Sequence, residues 1–315
     1  MAAFIRRIIA APVLLGVMAS AFAAPLDLFV AGRNDDKVTR YDGQTGALVG
    51  TFAIGGGLDN PVGLTFGPDG NLYVASGLTS QVLRYNGQTG AFMGVFASGG
   101  GLNQPRDLAF GPDGLLYVSS GVGAAVMRYN GTTGAFVDVF ASGAPISGPI
   151  SIVFTSNAQV LIASALTDQI LRYDRASGAF LGQFGSPGMD NPSFMITGPD
   201  GKLYVSSSLT NEVRKFDPLT GAYEGVFASG GGLSVPLGLA FMPDSGDLLV
   251  GNASTNSVLR FDGVTGAFEG TFASGGGLSN PNGIVFGPVP EPATVFAIVG
   301  GIGACLGRRR WQAHR

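Results

Sequence analysis

Short apolar runs recur along most of the chain, and turns rich in Gly, Pro, Asp and Asn separate them. In one representative interval, four such runs occupy residues 61–66, 71–76, 81–85 and 91–97. Phe92 and Phe96 lie an even number of positions apart, so they project from the same side of a strand. No run in this region has the periodicity of an amphipathic helix. The pattern therefore predicts four short strands per interval.

The end of each third strand carries a motif that occurs six times. Each copy has a cation, an aromatic residue and a turn that ends in Gly-Ala, as in RYDGQTGA. The copies lie 43 to 45 residues apart and begin at Arg40, Arg84, Arg128, Arg172, Lys215 and Arg260. A fixed period of this length indicates a repeat protein, and four strands per period are typical of a β-propeller blade.

The opening strands determine how the ring closes. Their motif begins at Pro61, Pro105, Pro149, Pro192, Pro236 and Pro281. The first blade therefore lacks its inner strand, and an extra copy follows the last blade. We predict that residues 282–286 pair with residues 27–32, so that both termini close the ring and leave no strand edge unpaired there. The predicted fold class is an all-β, six-bladed β-propeller that forms one domain over residues 24–288.

The N-terminal segment, residues 1–23, has the features of a signal peptide. Arg6 and Arg7 precede an apolar stretch, and Ala21-Phe22-Ala23 supplies the small residues that a signal peptidase requires. The sequence therefore predicts export by general secretion.

The C-terminal segment, residues 289–315, has three parts in order. Pro290-Glu291-Pro292 precedes an apolar stretch at 293–306, which we expect to form a short membrane helix, and a basic cluster follows with Arg308, Arg309 and Arg310. The apolar stretch is shorter than the roughly 20 residues that cross a bilayer comfortably. A transient association with the inner membrane is therefore favoured over a permanent anchor, although an ordinary C-terminal anchor is the alternative.

These three parts resemble the PEP-CTERM sorting signal of Gram-negative bacteria. The resemblance implies that an exosortase-type processing enzyme acts at the tripeptide, while the arginines stay cytoplasmic by the positive-inside rule. It also implies export across the inner membrane, followed by sorting to the cell surface, outer envelope or extracellular matrix. Proteins with this signal are associated with exopolysaccharide production.

Composition limits the chemistry of the ring. Six of the 18 Lys and Arg residues and one of the 21 acids lie in the two terminal segments, which leaves a net charge of −8 on the ring. Nucleic acid is therefore not an expected partner. The single Cys is Cys305 and the single His is His314, both outside the ring. Sites of the Ser-His-Asp or Cys-His type are excluded there, and we predict no catalytic residue and no resident cofactor.

The repeats resemble NHL-type propellers and the streptogramin-lyase and gluconolactonase groups, through phrases such as GPDGNLYVA at 67–75. The lyase resemblance implies catalytic histidines, which the ring lacks. The lactonase resemblance implies a divalent metal held by Glu, Asn and Asp, but no Glu occupies an inner-strand position. The resemblance therefore predicts the fold without a matching active site.

Most carboxylates fall in repeated turns, where we expect them to accept hydrogen bonds from local amides. Strand order places these turns on one face of the ring. The opposite face, with the loops after second and fourth strands, carries Asp35, Asp36, Asp59, Asp107, Asp168, Asp190 and Glu212 against Arg33, Lys37 and Arg106. This acid excess predicts either Ca²⁺ bound through oxygen ligands, a cationic partner, or a solvated rim.

Departures from the repeat select candidate binding residues. Only the third blade has two charges directly after its opening proline, Arg106 and Asp107, which are our first choice unless they form an ion pair with each other or between blades. The full candidate set on this face is Arg33, Asp35, Asp36, Arg106, Asp107, Asp168 and Asp190; the metal ligands stay unassigned.

Taken together, the sequence predicts an exported, surface-sorted, non-catalytic binding or structural propeller of the bacterial envelope or extracellular matrix. An envelope protein or a polysaccharide is the expected partner. Two alternatives stay open at this point: a metal-assisted lyase or lactonase, and an adhesive spacer without a ligand.

Overall fold

The structure is a computed structural model that describes residues 26–185 and 188–288. These residues form six four-stranded antiparallel sheets, which confirms the six-bladed β-propeller. The predicted signal peptide and sorting signal, including the apolar stretch at 293–306, lie outside the described residues. Within the described part, no helix is both long and apolar enough to cross a membrane.

Each blade has an inner strand at the ring axis and three further strands outward from it. Blade 1 contains, in this order, β24 (Pro281–Pro288), β1 (Leu26–Gly32), β2 (Lys37–Tyr41) and β3 (Leu48–Ile54). Blade 2 contains β4 (Pro61–Phe66), β5 (Leu72–Ser76), β6 (Gln81–Tyr85) and β7 (Phe92–Ser98). Blade 3 contains β8 (Pro105–Phe110), β9 (Leu115–Ser120), β10 (Ala125–Asn130) and β11 (Phe136–Ser142).

Blades 4 to 6 follow the same order. Blade 4 contains β12 (Pro149–Phe154), β13 (Gln159–Ser164), β14 (Gln169–Asp174) and β15 (Phe180–Phe184). Blade 5 contains β16 (Pro192–Thr197), β17 (Leu203–Ser207), β18 (Glu212–Phe216) and β19 (Tyr223–Ser229). Blade 6 contains β20 (Pro236–Phe241), β21 (Leu248–Asn252), β22 (Ser257–Phe261) and β23 (Phe268–Ser274). Short 3₁₀ turns at Ala165–Thr167 and Ala253–Thr255 precede β14 and β22.

The ring closes through the two ends of the described chain. Strand β24 pairs antiparallel with β1, with Leu26 opposite Pro288 and Gly32 opposite Pro281. This pairing confirms the predicted closure, and it supplies the inner strand that blade 1 otherwise lacks.

Aromatic side chains fill the spaces between blades. The Tyr73 ring lies between Phe96 of its own blade and Phe110 of blade 3, with ring centres 4.7 and 5.1 Å apart in edge-to-face geometry. Phe29, Tyr117 and Tyr204 make the same pair of contacts at the equivalent positions of other blades. Because each ring buries its apolar area against two sheets, neighbouring blades stabilise one another.

Candidate functional site

The turn face carries the connections between first and second strands and between third and fourth strands. Asp42 accepts hydrogen bonds there from the backbone N–H groups of Gln44 and Thr45, at 3.1 and 2.8 Å. Hydrogen bonds from Thr45 hold the pKa of Asp42 below its usual value. Local amides are bound in this way, as predicted, by Asp42, Asp69, Asp113, Asp174, Asp200, Asp217, Asp244 and Asp262. These carboxylates stabilise turns.

The cations of the repeated motif also serve the scaffold. Arg40 forms an ion pair with Asp27. Arg128 donates to Asp138 at 2.7 Å, and its guanidinium carbon lies 5.4 Å from the centre of the Phe140 ring. These contacts join the second strand of a blade to the third, and the third to the outer strand.

Among the described residues, one group of carboxylates has oxygens close enough to share a metal ion. Asp247, Asp262 and Glu269 offer oxygens within 4.8 Å of one another, on the turn face of blade 6. Arg260 donates to Asp247 at 2.9 Å and lies 2.7 Å from Glu269, so one guanidinium already pairs with two of the three carboxylates. The group is an ion-pair network, and it lies on the face opposite the predicted site.

The loop face, opposite the turn face, contains a cavity on the ring axis. Its volume is about 270 Å³, and the second residue of every inner strand lines it: Val62, Arg106, Ile150, Ser193, Leu237 and Asn282. A second cavity of about 300 Å³ adjoins it and shares Arg33, Arg106, Ile150 and Asn191. We call these two cavities together the channel mouth.

Local backbone geometry exposes these second residues to the axis. In β8, the pairing register with β9 shifts between Pro105 and Leu108, so that two residues bulge out of the ladder. The residue before the proline has a left-handed backbone, with φ of +51° at Gln104. Blades 2, 4, 5 and 6 repeat the shift at the same place, which explains why one position per blade reaches the axis.

Arg33 enters the channel mouth from the loop that follows β1. Its Nε donates to Oδ1 of Asn60 at 3.0 Å, and its backbone N–H donates to the carbonyl of Asn280. Burial lowers the pKa of Arg33. The equivalent positions of the other blades are all small: Gly77, Gly121, Ala165, Ser208 and Ala253.

Arg106 lies beside Arg33. Its Nη2 donates to Oε1 of Gln104 at 3.1 Å, and its side chain crosses Gly121, where a Cβ would lie only 2.8 Å from Arg106 Cγ. Burial, and in addition the charge of Arg33, lowers the pKa of Arg106. No described carboxylate lies within 4.0 Å of either guanidinium. Two mutually repelling cations therefore share the channel mouth.

Asp107 turns away from Arg106 and towards blade 4. Its carboxylate accepts hydrogen bonds from Ser151 Oγ at 3.0 Å and from the backbone N–H of Ile152 at 3.2 Å. Burial raises the pKa of Asp107 to about 6, against the opposing effect of the hydrogen bonds from Leu108, Ile152 and Ser151. The ion pair that the sequence offered as an alternative for Arg106 and Asp107 is not formed, because each side chain has its own neutral partner.

The remaining acidic candidates lie outside the channel mouth. Asp35 lies 3.2 Å from Lys37 Nζ and fills the space over Gly32, where other blades place a Ser or Asn side chain. Asp36 and Asp168 accept the backbone N–H of Asn60 and Asn191, each at 2.8 Å, and so link neighbouring blades. Asp190 is exposed at the rim. The structure thus brings Arg33 and Arg106 together and distributes the candidate carboxylates through the scaffold.

An exposed apolar arc, which the sequence analysis did not identify, borders the channel mouth. Four consecutive blades present an aliphatic side chain one position after the Arg33 equivalent: Leu78 (60% exposed), Val122 (57%), Leu166 (72%) and Leu209 (63%). Blades 1 and 6 have Asn34 and Ser254 there instead. Leu209 lines the first cavity, while Val122 and Leu166 line the second. An alignment of the six repeats reveals this arc, because four of the six residues at this position are aliphatic.

No protein-family model and no curated protein sequence matches this chain. Solved structures do match it. A chain of the nidogen–laminin complex aligns with a TM-score of 0.70 at 14% identity, covering 85% of this chain and 100% of that chain. A protein of unknown function from Bacteroides caccae aligns with a TM-score of 0.67 at 13% identity, covering 84% and 99%.

Virginiamycin B lyase from Staphylococcus aureus also matches, with a TM-score of 0.57 at 16% identity, covering 72% of this chain and 77% of the lyase. The neighbours therefore include both a lyase and a chain of the nidogen–laminin complex. At such identities the likeness shows the propeller fold alone.

Proposed function

We propose that this chain is a non-catalytic binding propeller that acts on the bacterial envelope or in the extracellular matrix and binds its ligand at the channel mouth. The observation that carries the proposal is the pair formed by Arg33 and Arg106. Elsewhere in the ring, five of the six cations of the repeated motif bind described carboxylates within their own blade, as Arg128 binds Asp138, and Arg172 is the exception. At the channel mouth, two cations instead face a shared cavity with neutral amide partners.

Arg33 and Arg106 are both half-buried, and the cost of this partial burial supports a binding role. A charge that leaves water without a counter-charge loses solvation energy, and two like charges in one cavity add repulsion. The scaffold does not require that arrangement, since the other five blades fold with a small residue at the Arg33 position. A ligand that supplies the missing negative charge would offset the cost.

The proposal includes export and surface sorting, on the basis of the terminal segments. We infer a signal peptide at 1–23 and a PEP-CTERM-like signal at 289–315, processed by an exosortase-type enzyme after transient inner-membrane association. Intact-mass measurement on protein from the native host tests this part. Recovery of a mature chain that still ends in Arg315 would contradict it.

A metal-assisted lyase or lactonase is the weaker alternative. Such a site requires oxygen ligands that converge on the axis. The residues that line the two described cavities include two arginines and no carboxylate. Turnover of a lactone, ester or glycoside that depends on added Ca²⁺ and is lost in Asp107→Asn would favour the enzyme instead.

The binding role is tested by attachment of the purified protein to host cells that lack their own copy of it. We expect Arg33→Gln combined with Arg106→Gln to weaken attachment by about tenfold or more, the loss typical of charged contacts in a buried site. Arg175→Gln, which removes one cation from the turn face, is the matched control and should attach normally. Equal attachment of all variants would instead support an adhesive spacer that does not use the channel mouth.

A further inference from the structure

We propose that the channel mouth binds an amphiphilic oxyanion, meaning a phosphate or carboxylate group joined to an apolar chain or ring. The inference rests on the proposed function and names the chemical class of its ligand. It depends on three features of the loop face that lie next to one another: the two arginines, the side-chain amide of Asn282 and the apolar arc.

The arginines supply the anion-binding part. A guanidinium has five N–H donors, and the structure shows one amide acceptor for each of Arg33 and Arg106, which leaves most donors available in the cavity. Arginine donors match carboxylate and phosphate oxygens in paired geometry. Two positive charges are balanced more completely by a dianionic phosphate monoester than by a single carboxylate, so we expect the phosphate to bind more tightly.

Asn282 adds a neutral hydrogen-bonding group to the channel mouth. The residue is only 3% exposed and lines the axial cavity together with Arg33 and Arg106. Its side-chain amide can therefore donate to an oxygen of a ligand in this cavity. Of the other inner strands, only that of blade 5 has a polar uncharged residue at this position, Ser193, and its Oγ already donates to the Asn191 carbonyl.

The apolar arc supplies the second half of the ligand site. Leu166 and Leu209 are among the most exposed aliphatic residues described, and they border the cavities that the arginines share. Their exposure has no structural benefit within the blade, because the equivalent residues Asn34 and Ser254 are polar. An apolar tail that leaves the arginines would cover this arc on blades 4 and 5 and remove it from water.

Four probes separate the contributions in calorimetric titrations of the purified protein. Octyl phosphate and octanoate have both a charged head and an apolar tail, inorganic phosphate has only the head, and octanamide has only the tail. We expect octyl phosphate to bind most tightly, octanoate next, and the two partial probes at least tenfold more weakly, because each loses one set of contacts. Raising the salt concentration should weaken the two charged amphiphiles but not octanamide.

Two sets of variants assign the contacts. Arg33→Gln with Arg106→Gln should weaken octyl phosphate by at least tenfold without changing octanamide, and Arg175→Gln should change neither. Leu166→Ser with Leu209→Ser should weaken octyl phosphate and octanamide without changing inorganic phosphate, and Val264→Ser on the turn face is the control. Thermal unfolding of every variant confirms that the ring is intact.

Three outcomes would overturn the inference. These are equal affinity for octanamide and octyl phosphate, equal affinity for inorganic and octyl phosphate, or no binding of any probe. In the last case, a loss of cell attachment in the double arginine variant would still support the proposed function with a ligand of different chemistry. Conversely, probe binding with unchanged cell attachment would support this inference and contradict the proposed function.

Discussion

On the turn face, Asp42 and its equivalents accept hydrogen bonds from the amides of their own turns, whereas on the loop face Arg33 and Arg106 bind neutral amide oxygens beside a cavity. The turn face repeats the same arrangement from blade to blade. The loop face repeats its backbone, including the left-handed residue before each opening proline, but varies the side chains at the axis.

This difference shows how one repeat serves two tasks. A polar group that occurs at the same place in most blades has a partner inside the repeat, so its hydrogen bonds stabilise the fold. A polar group that occurs once has no partner built into the repeat. Arg33 is the clearest case, because it replaces a small residue and its side chain extends to the neighbouring blade.

The largest effect should come from removing the strand that both faces share. Deleting Pro281–Pro288 removes β24, exposes an edge of β1 and takes Asn282 from the channel mouth. We expect the loss of most of the folding free energy, which is about 5–15 kcal/mol for a typical domain. Thermal unfolding checks this against a chain that ends after Pro288. Equal melting temperatures would show that closure by the termini does not stabilise the ring.

A pair of glycines compares the two faces directly. Gly90 on the turn face has φ of +70°, and a Cβ there would lie 1.8 Å from the carbonyl oxygen of Phe52 in the preceding blade. Gly55 on the loop face has φ of +77° and open space around it. Gly55→Ala should therefore cost only the left-handed strain of about 1 kcal/mol, and Gly90→Ala about 3 kcal/mol or more, because backbone must move.

Denaturant unfolding measures both variants under the same conditions. Similar losses of stability at the two positions would mean that the close contact of Gly90 with Phe52 does not stabilise the packing of neighbouring blades.

The sequence predicted most of the fold but only part of the site. The fold depends on a repeated pattern, whereas the site depends on contacts between residues far apart in the chain. Blade number, ring closure and the role of Asp42 follow from a repeated pattern. Because the pattern occurs six times, a deviation in one copy does not hide it. The direction of a loop side chain is set by contacts that are distant in sequence, such as Arg33 with Asn60, 27 residues away. A single sequence contains no signal for such a contact.

The positions of Asp36 and Asp168 carry a sequence signal for a structural role. Their position has Asp, Ser, Ala, Asp, Asn and Asn in the six blades, and each of these residues has a left-handed backbone. Asp and Asn tolerate that conformation and accept nearby amides, so the repeat itself indicated a scaffold position. The acid excess of the loop face therefore does not form one surface, because Asp36 and Asp168 bind backbone amides of the neighbouring blade.

Asp107 should make the stability of the ring depend on pH. Its folded pKa of about 6 lies above its unfolded value, so its contribution to stability is full below pH 4 and is lost as pH rises towards 6. The residue keeps some contact with solvent, so the loss at neutral pH is at most about 3 kcal/mol. Asp107→Asn should remove this slope, and Asp190→Asn, an exposed control on the same face, should retain it. Denaturant unfolding between pH 4 and 7 provides the measurement.

The smallest effect should come from a single turn carboxylate. Asp42→Ala removes the acceptor for Gln44 and Thr45, and we expect a loss of about 1 kcal/mol, as for other local side-chain acceptors. Asp42→Asn should leave the stability nearly unchanged, because Asn86 accepts hydrogen bonds from the equivalent amides, those of Gln88 and Thr89, in the turn of blade 2. Neither change should alter attachment to cells or binding of octyl phosphate, since the turn lies on the opposite face from the channel mouth. Weaker ligand binding in Asp42→Ala, with the ring still folded, would contradict the separation of the two faces and would place part of the ligand site among the turns.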